Sequence, residues 1–118
     1  MSTGTVPAPG SGVGTITIEA KVVSGKVKIQ PFDVKNYASV QFSNQTLGNL
    51  ALWIPNGGEL FVGADTKGDI FLSIPAGTSQ SLTVSISKQH KEIYRNSAYC
   101  EAIRAYAEGG SAPEIHCS

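Results

Sequence analysis

Charge is scarce in this sequence. Charged residues fill 15% of 118 positions, nine basic against nine acidic, for a formal net charge of zero. Nucleic acid is excluded as a main partner, because binding phosphates needs a clear surplus of Lys and Arg. Long apolar runs are missing too. No stretch approaches the roughly 20 residues of a membrane span, so no membrane partner is expected. The N-terminus lacks the basic and apolar regions of a secretion signal, so a protein made and kept inside a cell is expected. Cysteine is limited to Cys100 and Cys117. Compartment rules favour two free, buried thiols, with a Cys100–Cys117 disulfide as the alternative.

Chemical motifs are equally thin. No nucleophile elbow, phosphate loop, zinc-finger spacing or dinucleotide fingerprint occurs. His90 sits in a polar, basic stretch and reads as a solvated loop residue. His116 and Cys117 are adjacent, and on a strand neighbours point to opposite faces, a poor start for joint metal ligation. Cys100 and His116 would form a thiol–imidazole pair only if folding brought them together. Asp65, Gly68 and Asp69 share part of a calcium-loop pattern, but the further carboxylates and terminal Glu are absent, so a polar turn is expected. Asn44-Gln45-Thr46 fits the glycosylation pattern and reads as a turn. No catalytic residue, metal ligand or cofactor site is expected, and the protein reads as a non-enzyme.

What the chain does have is alternation. Val40 and Phe42 alternate with Ser39, Gln41 and Ser43, and Leu50, Leu52 and Ile54 with Asn49, Ala51 and Trp53. Leu60 and Val62 follow, then Ile70, Leu72 and Ile74, then Leu82, Val84 and Ile86. A period of two puts alternate side chains on opposite faces of a sheet. Turn signals separate the runs at Asn44–Gly48, Pro55–Gly58, Asp65–Gly68 and Pro75–Gly77. Such spacing predicts a mainly all-β domain over residues 15–118, an antiparallel β-sandwich or barrel. Before it, residues 1–14 carry no charge and no periodicity, and read as a flexible arm. That arm is either a disordered tail or a reach of about 45 Å, at roughly 3.3 Å per residue, to a neighbouring subunit.

A hairpin is predicted from Thr15 to Ile29, turning at Ser24-Gly25, with an apolar inner face and a basic wet face. Toward the end, Ile93 and Tyr94 suggest a short strand, and residues 114–118 an edge strand. Between them Tyr99, Ala102, Ile103 and Tyr106 fall at helical spacing, which favours a short helix ended by Gly109-Gly110. The same residues also permit a strand.

Two stretches, 36–58 and 70–87, hold no charged residue. On them or between them, Trp53, Phe61 and Phe71 fall opposite the Leu/Ile/Val set. Large aromatics gathered outside a main core mark a protein–protein interface, unless a C-terminal layer covers them.

The run Ser39-Val40-Gln41-Phe42-Ser43-Asn44, the strand Asn49 to Ile54, Glu59-Leu60-Phe61-Val62-Gly63, Ile74-Pro75-Ala76-Gly77-Thr78 and Ser81-Leu82-Thr83-Val84 together carry a family likeness. The pattern resembles small virion structural proteins of tailed bacteriophages, of the capsid decoration (cement) or fibre-base type. The resemblance spans roughly residues 38 to 95. It implies a non-enzymatic structural protein of the virion, made in the host cytoplasm. Its partners would be the major capsid protein or other virion proteins, and its state a homo-oligomer, with a trimer as the guess from shell symmetry. Trp53, Phe61 and Phe71 would be its anchors. The alternative is a carbohydrate- or receptor-binding module of a tail fibre or adhesin, whose aromatics stack on sugars while Asn56 and Asp65 donate or accept hydrogen bonds.

Overall fold

The computed structural model describes residues 13–86, 92–107 and 114–117. Thr15–Val23 (β1) and Lys26–Ile29 (β2) form the predicted hairpin, with Val23 opposite Lys26. Ser24 and Gly25 both have positive φ, 53° and 77°. That pair of left-handed residues is the type I′ geometry that matches strand twist in a two-residue loop. Phe32–Asp33 (β3) and the 3₁₀ turn Val34–Asn36 lead into Ser39–Asn44 (β4) and Leu50–Ile54 (β5). A second 3₁₀ turn, Gly57–Glu59, precedes Ile70–Ile74 (β6) and Ser79–Thr83 (β7). Glu92–Arg95 (β8), Ser97–Cys100 (β9), Ala105–Tyr106 (β10) and Glu114–Cys117 (β11) complete the described elements.

These strands make two four-stranded sheets, β2-β1-β4-β7 and β10-β9-β5-β6, and a three-stranded sheet, β3-β11-β8. Ile18, Val40 and Phe42 from the first sheet join Leu50, Leu52, Ile54, Ile70 and Ile74 from the second in one buried cluster. This is the β-sandwich that the alternation predicts. Each fully buried Leu or Ile contributes about 1.5–3 kcal/mol relative to exposure.

Among the described residues, pairing is antiparallel except at two places. β1 runs parallel to β4 over Thr15–Ala20, and β11 runs parallel to β3. β11 lies between β3 and β8 and is not the edge strand that residues 114–118 suggest.

The helix expected through Tyr99 and Tyr106 is replaced by a hairpin. β9 and β10 pair antiparallel around the turn Glu101–Arg104, with Arg104 in the left-handed region at φ 51°. Ala98 and Cys100 are buried, and β9 pairs with β5 from Leu50 to Trp53. Non-local sheet pairing outweighs a helix propensity worth only tenths of a kcal/mol per residue.

A second correction falls at Leu60–Val62, where an alternating strand is expected. The Gly57–Glu59 turn draws the backbone N–H groups of Leu60 and Phe61 onto the Gly57 carbonyl, which rotates the chain. Leu60 and Phe61 are both buried, Val62 is exposed, and Phe61 bridges to Val84. Gly57 has to be glycine here, because a Cβ would lie 2.9 Å from Ile54 Cγ2 and Ile70 Cγ1.

Of the arm, Val13 and Gly14 are described, and the Gly14 carbonyl accepts from the Ala38 and Ser39 N–H groups. Residues 1–12 and His90 lie outside the described residues.

Candidate binding face

In β5 the buried Leu50, Leu52 and Ile54 leave Ala51 and Trp53 on the outer face. Register then decides their company. Trp53 stands opposite Phe71 on β6 and Ser97 on β9, while Ala51 stands opposite Ser73 and Tyr99. Tyr99 in turn faces Tyr106 on β10. Two aromatic pairs therefore occupy diagonal corners of one sheet face, and Ala51, Ser73 and Ser97 fill the positions between.

Each pair is a specific contact. Trp53 and Phe71 are stacked, with centroids 5.9 Å apart and planes 7° from parallel. Tyr99 and Tyr106 meet edge-to-face at 5.0 Å and 64°. Both arrangements suit the aromatic quadrupole, and pairs of this kind add about 0.5–1.5 kcal/mol beyond their area burial. Even so, much of their surface stays in solvent. Trp53 is 39% exposed, Phe71 63% and Tyr106 61%. Together with Leu52 and Leu72 they line a cleft of about 600 Å³ that, among the described residues, no charged side chain lines. Its polar groups are the Ser73 and Ser97 hydroxyls and the tyrosine phenols.

Of the three sequence-predicted anchors, Trp53 and Phe71 come together and Phe61 does not. Phe61 is 2% exposed and belongs to the core. Asn56 and Asp65 are not among the residues lining the cleft. The Asn56 N–H donates to Asp69 Oδ1 at 3.0 Å, and Asp65 Oδ1 accepts from the N–H groups of Lys67 and Asp69. This is the polar turn expected there. Tyr99 and Tyr106 are the residues that sequence reasoning missed. Their signal was the Ser97-Ala98-Tyr99-Cys100 alternation, masked by an equally good helical spacing.

The likeness to known proteins is one of fold. Among solved structures, the chain is similar to McoA multicopper oxidase from the hyperthermophile Aquifex aeolicus, with a TM-score of 0.52 and 10% identity. That match covers 95% of this chain and 31% of the oxidase. The 2F4 variant of the same oxidase gives a TM-score of 0.50 at 11% identity, over 97% of this chain and 31% of that one. The chain thus spans less than a third of the oxidase it resembles. No protein-family model and no curated protein matches the sequence.

The remaining candidate residues are dispersed. Cys100 and Cys117 are buried free thiols, so the alternative of a disulfide does not hold. Cys100 ends β9 opposite Leu50, and Cys117 ends β11 opposite Glu92 in another sheet. His116 lies beside Glu114, 3.3 Å from its Oε1, and opposite Asp33. Among the described residues, no group of three or more His, Cys, Asp or Glu side chains is placed to hold a metal. Tyr94 Oη donates to Glu59 Oε1 at 2.6 Å. Burial and that bond push the phenol well above its ordinary range. Burial, with Asp33 nearby, likewise raises the Cys117 thiol. A thiol and a phenol held protonated are poor nucleophiles.

Proposed function

We propose that the chain is a non-enzymatic carbohydrate-binding β-sandwich module, gripping sugar rings with the outer face of the β10-β9-β5-β6 sheet. One observation carries this reading: two aromatic pairs flank an uncharged, hydroxyl-bearing floor on a rigid sheet. A sugar ring offers C–H groups on its faces and hydroxyls around its rim. Aromatic faces suit the first, and Ser73, Ser97 and the phenols suit the second. The absence of charge from the lining favours neutral sugars over acidic ones.

Trp53 is the only tryptophan, so its fluorescence reports on this face alone. Titration with neutral oligosaccharides is expected to shift its emission. Phe71→Ala and Tyr106→Ala, both at exposed positions, should each weaken binding about tenfold, about 1.4 kcal/mol. An unchanged spectrum across a broad panel of neutral glycans sinks the reading.

Virion decoration is the second reading, supported by the exposed Phe71 on edge strand β6, since apolar aromatics also anchor protein interfaces. It expects co-sedimentation with capsid shells and loss of that binding in Trp53→Ala. It also expects a trimer by light scattering, and truncation of residues 1–14 tests whether the arm clasps it.

A further inference from the structure

Strand directions gather four connections at one end of the sandwich: the β1–β2 turn, the β4–β5 loop, the β6–β7 turn and the β9–β10 turn. Asn44 ties the β4–β5 loop to the β6–β7 turn. Its Oδ1 accepts from Thr46 N and Oγ1, and its Nδ2 donates to the carbonyls of Gly48 and Ile74. Its backbone bonds reach Thr78 and Gly77. Gly48 sits so close to the β9–β10 turn that a Cβ would lie 2.8 Å from Ala102 N.

This fixed platform displays apolar side chains to water. Leu47 is 96% exposed. β1 pairs with β4 only as far as Ala20, so the hairpin tip stands beyond the end of β4 with Val22 and Val23 exposed. Leu47 and Val22 share a cleft with Lys21 and the half-buried Ile103. Basic residues lie in the same two turns and the strands beside them. Lys26 stands opposite Val23, Lys21 opposite Lys28, and Arg104 closes the β9–β10 turn. Glu101 lies in that same turn, and Glu19 pairs with Lys21 at 3.0 Å.

We propose that this end docks on an anionic lipid surface, with Leu47, Val22 and Val23 entering the headgroup–acyl boundary and the Lys and Arg side chains meeting the headgroups. A protein partner would need a surface shaped to three separate loop tips. A fluid apolar layer accepts projecting side chains without such a match, and basic residues beside them add attraction to acidic lipids. The expectation of no membrane partner rests on the lack of a spanning run. No helix among the described residues is long and apolar enough to cross a membrane, and surface docking requires none.

The test is sedimentation of the full chain with phosphatidylcholine vesicles, with and without phosphatidylserine. Binding is expected only with phosphatidylserine, falling as salt is raised. Leu47→Asp should weaken it at least tenfold while leaving the unfolding midpoint unchanged. Lys26→Glu combined with Arg104→Glu should do the same, and Trp53→Ala should leave vesicle binding intact. Equal sedimentation with both vesicle types, no sedimentation with either, or wild-type binding by Leu47→Asp overturns the proposal. If Leu47→Asp instead changes the native mass by light scattering without affecting vesicle binding, this end is a contact between copies, and the lipid assignment falls.

Discussion

Asn44 shows how much one side chain does here. It is fully buried, and its amide serves two N–H or O–H donors and two carbonyls on neighbouring segments. Asn44→Ala takes that partner from the Thr46 N–H and the Ile74 carbonyl, while Thr46 Oγ1 and the Gly48 carbonyl keep each other, and an unmet buried group costs about 1–3 kcal/mol. We therefore expect a loss of about 3 kcal/mol, read as a lower urea midpoint. The same burial means that the glycosylation pattern at Asn44 is used for folding, because its nitrogen is occupied inside the protein. A second prediction concerns pH. Tyr94 and Cys117 are both held above their ordinary values, by burial first and then by Glu59 and Asp33 respectively. Their contribution is whole below the ordinary cysteine range, about 8.5. Above it the unfolded chain gives up protons that the folded chain keeps, so stability falls as the pH climbs toward the raised folded values. Urea midpoints at about pH 7 and about pH 10 should show that fall, with a smaller one in Tyr94→Phe. Single residues were legible only in part. Trp53 and Phe71 sit on the face their parity predicts, but Phe61 does not, because a 3₁₀ turn just before it changes which side of the chain faces inward.

At the scale of elements, the hairpin of β1 and β2 was the most legible piece. Alternation on both sides of Ser24-Gly25 leaves one register that buries Ile18, Ala20, Val27 and Ile29 together. Ser24 adopts positive φ without being glycine, a conformation that Asn tolerates better. Ser24→Asn should stabilise the protein by about 0.5 kcal/mol, seen as a raised thermal midpoint. The β4–β5 loop is the opposite case, since Gly48 has no room for a side chain. Gly48→Ala should cost about 1–3 kcal/mol by driving the loop off the β9–β10 turn. That turn also explains why the Tyr99–Tyr106 segment was illegible. Local spacing is consistent with helix or strand, and the deciding contact is with β5, far away in sequence. Half of the candidate binding face was hidden for the same reason.

For the molecule as a whole, composition and turn spacing were enough to reveal an all-β sandwich. They were not enough to reveal which strands are neighbours. Nothing local says that β1 lies parallel to β4, or that Phe32 pairs with Ile115. The two proposed surfaces are likewise a property of the whole: one covers an outer sheet face and the other a loop end. Substitutions at Trp53 and Leu47 should accordingly combine additively in an unfolding experiment, as distant sites do. The pairing of β11 with β3 and β8 has a consequence in time. Residues 32–33 and 92–95 acquire their shared partner only after residue 117 has been made and brought back across the length of the chain. Contacts so distant in sequence impose a large entropic barrier, and β-rich folds of this kind reach the native state in milliseconds to seconds. On a ribosome the three-stranded sheet therefore forms only once residues 114–117 have emerged, and until then Phe32 and Tyr94 lack their β11 partner and invite chaperones or aggregation.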